Sequence, residues 1–131
     1  MYLYVTASLA CALSALLLLL SWAVVQQRRA SRVSLGDNDD VVLRRKIRAQ
    51  GNLAEYGPMF VLLIASVEIM SGTSLTLWVL AMSFLIARVM HGIGLAFSHN
   101  TPKLRYMGMV LTLIAFVGAI VQTVLVLSLQ G

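Results

Sequence analysis

The sequence predicts an all-α integral membrane protein, a four-transmembrane-helix bundle forming one domain over residues 1–131. Three observations predict it. Of the 131 residues, 60% are hydrophobic and only 11% charged, whereas a soluble domain carries roughly half and a quarter. The apolar residues gather into four runs, each long enough to cross a hydrocarbon core of about 30 Å. The ten Lys and Arg residues cluster beside the ends of those runs.

The first helix is expected over residues 2–25, a stretch with no charge. No Lys or Arg precedes it, and Gln26-Gln27-Arg28-Arg29 follows it. A secretory signal has the opposite flanks, so this helix is retained. The second is expected over residues 40–71. Gly36-Asp37-Asn38-Asp39-Asp40 breaks the chain, and its acids suit a helix start through capping and the helix dipole. The same acids lack the glutamate that would complete a calcium loop. Pro58 removes a backbone hydrogen bond in mid-helix and predicts a kink. Only Ser71-Gly72-Thr73-Ser74 separates this helix from the third, over 75–97, so the two form an antiparallel hairpin. The fourth helix, over 106–129, is again uncharged.

The basic residues set the orientation. Arg28, Arg29, Arg32, Arg44, Arg45, Lys46 and Arg48 fall in or beside the first loop, and Lys103 and Arg105 in the third. Arg88 lies within the third run, while the second loop and both termini have none. The positive-inside rule therefore places loops one and three in the cytoplasm and both termini outside. The formal charge of +5 is accounted for by this asymmetry and implies no nucleic-acid partner. The single cysteine, Cys11, is expected to be a buried structural residue. No intrachain disulfide can form, and no Cys/His cluster has metal-ligand spacing.

Ionisable groups at membrane depth are costly and point to function. Arg48, Asn52 and Glu55 are spaced to share one helical face. Glu55 lies about 10 Å deeper than Arg48, and Arg88 about 14 Å from the end of the third run. Equal depth predicts a structural ion pair between Glu55 and Arg88. His91 follows Arg88 on the same face, and Tyr56 adjoins Glu55, so a polar cleft opens toward the basic end. Glu68 lies near the opposite end and is expected to reach the interface.

The run Arg48-Ala-Gln-Gly-Asn52-Leu-Ala-Glu55-Tyr56-Gly-Pro58 resembles the signature of the MAPEG family, membrane-associated proteins in eicosanoid and glutathione metabolism. Arg28-Arg29-Ala-Ser-Arg32-Val-Ser resembles the loop after helix one in its leukotriene-conjugating synthase. Ala87-Arg88-Val-Met-His91 is similar to helix three of its prostaglandin E synthase branch. The resemblance covers nearly the whole chain and implies a homotrimer with glutathione sites between subunits. It implies glutathione contacts from Arg48, Gln50, Asn52, Glu55 and Tyr56, with His91 from helix three and Arg28 from the adjacent subunit. Arg105 matches the arginine that supports the thiolate, with Tyr106 beside it. Leu95 stands where the leukotriene enzyme has a tyrosine, and Tyr106 where the prostaglandin enzyme has serine.

The expected function is a glutathione-dependent transferase or peroxidase acting on lipophilic electrophiles, with glutathione as co-substrate and no metal. The alternative is a non-catalytic lipid- or glutathione-binding scaffold. A small multidrug exporter would need a glutamate in helix one, which is uncharged here. The lack of a long extension points to a bacterial inner membrane.

The orientation is testable with single cysteines at Ser34 and Ser74 in a Cys11→Ala background. An impermeant thiol reagent applied to sealed right-side-out vesicles should label Ser74→Cys and spare Ser34→Cys. Equal labelling would overturn the assignment.

Overall fold

The computed structural model describes residues 2–98 and 102–130. Four helices make up the architecture: α1 (Tyr4–Ser31), α2 (Val41–Ser71), α3 (Leu75–Ala96) and α4 (Pro102–Gln130). Each is long and apolar enough to span a membrane, and the described residues include no strand.

Two boundaries differ from expectation, for local reasons. Helix α1 continues past Val25 because Gln26, Gln27, Arg28 and Arg29 are good helix formers. Arg28 and Arg29 also occupy its last turn, where cations favour the dipole. The helix stops at Arg32, in the left-handed region at φ 55. There Val33 N–H donates to the Arg28 carbonyl at 3.1 Å and Arg32 N–H to that of Arg29 at 3.4 Å, a Schellman closure. Helix α4 begins at Pro102, not at 106. Proline is pre-organised for the first helical position, and Lys103 and Arg105 consequently lie at the start of α4. Helix α2 starts at Val41, where Asp40 caps it by accepting from the backbone N–H of Val42 and Leu43, and runs on through Pro58 to Ser71.

The α2–α3 hairpin is central. Helix α1 packs on α2 and α3, helix α4 packs on α3 and α2, and α1 and α4 do not meet among the described residues. An aromatic cluster ties three helices together. Phe60 and Phe84 stack at 3.9 Å between ring centroids. Phe116 meets them edge-on at 5.2 and 5.7 Å, a favoured ring geometry.

Helices α3 and α4 approach closely because two glycines allow it. A Cβ on Gly108 would lie 2.6 Å from the His91 backbone nitrogen, and one on Gly94 would lie 2.8 Å from that of Arg105. These two glycines bring helices of the same chain together. Cys11 also departs from expectation, since it is exposed on α1.

Glu68 does not reach outward. It is fully buried and caps α1 from across the bundle. Its Oε1 accepts from Val5 N–H at 3.0 Å and from Thr73 Oγ1 at 2.8 Å. Its Oε2 accepts from Thr6 N–H at 2.9 Å and Thr6 Oγ1 at 2.7 Å. Helix α1 has no side-chain cap of its own, and its first amides need an acceptor in a medium without water. A carboxylate at the positive end of a helix is favoured there without a cationic partner.

In Glu68→Gln one oxygen becomes a donor, so a buried amide of α1 loses its acceptor whichever way the side chain turns. Thermal unfolding in detergent should show a loss of about 1.5–3 kcal/mol, with Glu55→Gln close to wild type. An unchanged Glu68→Gln midpoint would disprove the cap.

Candidate functional site

Helix α2 presents different polar residues to different neighbours. Gln50 donates to Ser21 Oγ of α1 at 3.1 Å. Asn52 Oδ1 accepts from Arg88 Nη1 of α3 at 2.6 Å. Two residues advance a helix by about 200°, so Gln50 and Asn52 face opposite sides of α2.

Arg88 is 2% exposed, and its Nε and Nη2 have no hydrogen-bond partner. Its guanidinium lies 5.5 Å from the Tyr56 ring centroid and 5.9 Å from that of Phe84, close enough for the ring faces to offset part of the buried charge. The expected ion pair of Glu55 with Arg88 is not formed. Depth alone suggested it, but Asn52 is the residue of α2 directed at α3, and Glu55 stands on an exposed face. Its Oε1 lies 3.7 Å from Arg48 Nη1, with the two side chains 56% and 61% exposed. Tyr56 is half-buried and meets Phe116 edge-on at 6.0 Å.

His91 is buried and lies with Nδ1 3.2 Å from the Arg105 carbonyl oxygen. A carbonyl only accepts, so Nδ1 carries the proton and the ring steadies the first turns of α4. Arg105 is exposed and lines a cavity of 180 Å³ with Arg45, Gly94, Leu95, Ser98 and Pro102. Tyr106 is 70% exposed.

Arg28 folds back on its own loop, donating to the carbonyls of Gly36 at 2.9 Å and Ser34 at 3.4 Å. The same loop is closed by Asp40, which accepts from Ser31 Oγ and, at 2.9 Å, from Gln27 Nε2. Those bonds, with the amides of Leu43 and Val42, hold the Asp40 carboxyl well below the usual carboxylate range. A depressed value keeps this closure intact as pH falls through the ordinary carboxylate range near 4, and releases it only in stronger acid.

Within the chain, then, Arg48 meets Glu55, and Asn52 meets Arg88, whose guanidinium lies by the Tyr56 ring. Gln50 and Arg28 lie on the α1 side, and Arg105 shares a cavity with Arg45. Arg45 was missed in the sequence. Its place three residues before Arg48 on α2 is the signal that could have found it.

A family model described as the MAPEG family matches residues 6–125. The chain belongs to the MAPEG family. It is also 35% identical over 98 residues to the inner membrane protein YecN of Escherichia coli K12, spanning 74% of this chain and 73% of that one. YecN of Escherichia coli O6:H1 matches equally well. In this MAPEG protein the four candidate spans and the family assignment agree on a multi-pass membrane bundle.

Asn52→Leu would strip Arg88 of its acceptor and should cost about 1–3 kcal/mol in thermal unfolding. Asn52→Asp supplies a carboxylate to the same guanidinium and should be more stable than Asn52→Leu. The opposite order would show that Asn52 is not what holds Arg88.

Proposed function

We propose that this MAPEG protein is a glutathione-dependent transferase or peroxidase for lipophilic electrophiles, working at the cytoplasmic side of a bacterial inner membrane. One observation carries the reading. Arg48 and Glu55 stand side by side on α2, exposed and of opposite sign, 3.7 Å apart. Glutathione has two carboxylates and one ammonium. A guanidinium beside a carboxylate complements that zwitterion, with the fork on the carboxylate and Glu55 on the ammonium. The buried Arg88 with two unpartnered nitrogens fits an anionic ligand nearby.

The active unit in this reading is a homotrimer with sites between subunits. Gln50 and Asn52 face opposite ways on α2, so one bound tripeptide meets both only if two copies of α2 border it. Arg28 belongs to the Gln50 side and would reach the ligand from the neighbour. A small lipophilic substrate would enter from the bilayer while glutathione enters from water.

The chemistry required is thiolate formation, since a thiol with pKa near 8.5 is only a few percent ionised at neutral pH. Arg105 is the catalytic candidate. It stands at the start of α4, where the helix dipole is already positive, and shares its cavity with Arg45. Two guanidiniums there favour an anion over a neutral thiol. The relative's name, an inner membrane protein, supports the location. A binding scaffold without turnover is the second reading. It is favoured by the fact that the cavity of Arg105 is lined by none of Arg48, Asn52 or Glu55.

Calorimetric titration of the purified protein with glutathione tests the site. Glu55→Gln should weaken binding about fivefold, a charge-assisted contact discounted for exposure, while folded Glu68→Gln binds as wild type. Equal weakening would make the stripe architectural. Arg105→Ala should lose thiolate ultraviolet absorbance but keep most of the binding, with partial rescue by Arg105→Lys and no effect of Lys103→Ala. Binding without any thiolate signal in the wild type would favour the scaffold.

A further inference from the structure

The seam between α1 and α3 is uncovered and contains a 590 Å³ groove near the basic end. Its floor is apolar, formed by Leu16 and Leu20 of α1 and Val89 and Ile93 of α3. Toward its mouth it gains polar groups, Gln26 of α1 and Lys46 of α2, beside Phe97 at the end of α3. The Lys46 ammonium donates to Gln27 Oε1 at 3.0 Å, which fixes its position and leaves two of its three protons for another acceptor. Arg29, exposed one turn beyond Gln26, adds a second cation on that side of α1.

Both tryptophans of the chain line this seam. Trp22 borders the groove, and Trp78 borders a second apolar hollow with Leu9 and Ala81 toward the other end. Tryptophan settles at the two levels where hydrocarbon meets water. One at each end of a single seam marks that seam as facing lipid rather than another protein surface.

We propose that the α1–α3 groove is a binding site for one acyl chain of an anionic phospholipid, whose phosphate is held by Lys46. The polarity gradient from floor to mouth is that of such a lipid. The volume suits a chain-sized ligand, and no carboxylate lines the groove to repel a phosphate. Basic pockets between transmembrane helices at the positively charged face recognise anionic headgroups through this combination of fixed charge and apolar trough. The site is separate from the Arg48–Glu55 face and does not depend on the glutathione reading.

The test uses the full chain with Trp78→Phe, so that Trp22 is the only tryptophan, in phosphatidylcholine vesicles. Small fractions of phosphatidylglycerol or phosphatidylcholine with dibrominated chains are added, and bromine quenches Trp22 on contact. Phosphatidylglycerol should be preferred by about fivefold, the attraction of one basic residue at the membrane surface. Lys46→Gln should reduce the preference to about one, and Lys103→Gln should leave it unchanged. Ile93→Phe, which fills the floor without altering charge, should also reduce it. Equal quenching by the two lipids would overturn the proposal, as would a Lys103→Gln effect as large as that of Lys46→Gln. Absence of quenching by either lipid would also overturn it, because lipid chains would then not enter the seam.

Discussion

An unsatisfied polar group in hydrocarbon costs several kcal/mol, and this constraint organises the bundle around α2. Lipid is as apolar as leucine, so burial alone gives one helix no preference for another over the surrounding chains. Hydrogen bonds supply the choice. From one end of α2 to the other, Asp40 closes loop one, Gln50 binds Ser21 of α1, Asn52 takes Arg88 of α3, and Glu68 caps α1. Each neighbour is selected by a group that would otherwise be unpaired. Helix α4 shows the contrasting solution, held against α3 by close backbone approach at Gly94 and Gly108.

The spans were legible because hydropathy reports length and apolar content directly, and all four were found. Helix ends were less legible. Hydropathy marks where the hydrocarbon stops, whereas α1 continues through Gln26 to Ser31 on helix propensity and on the cations of its last turn. The polar pairings were least legible. Glu55 and Arg88 share a depth, but depth along a helix does not specify azimuth, and Asn52 holds the azimuth that faces α3. Glu68 lies where the sequence suggested, near the end of α2. What the sequence could not disclose is that the uncapped start of α1 lies alongside it, so an apparent interfacial carboxylate is a buried cap. Cys11 fails for a related reason, since in a membrane protein an apolar run supplies the lipid-facing side as well as the core.

The same unevenness separates two kinds of surface. At Gly94 and Gly108 the backbones of α3 and α4 pass so closely that a Cβ would strike main-chain atoms, whereas along the α1–α3 seam a Cβ on Gly92 would meet the Leu20 side chain at an ordinary 3.5 Å. Bulky residues flank that seam, including both tryptophans, and hollows remain between them. Polar chemistry gathers instead on the exposed side of α2 and at the start of α4. Under the two proposals above, division of this kind would let the bundle offer one face to lipid and another to a water-soluble ligand.

Arg105 illustrates how that separation is made precise. Its backbone nitrogen sits where only a glycine at 94 leaves room, and its carbonyl is held by the imidazole of the buried His91. Both contacts come from α3, and His91 is itself placed by the close passage of Gly108 against its backbone. The main chain of Arg105 is therefore fixed from two sides while its guanidinium projects to the exterior. A charge meant to act on a reacting atom must be positioned within about 0.5 Å by the shell behind it. In the proposed function, His91 would then act through the placement of Arg105. A ring buried with its Nδ1–H committed to a backbone carbonyl has little of itself left to offer a ligand.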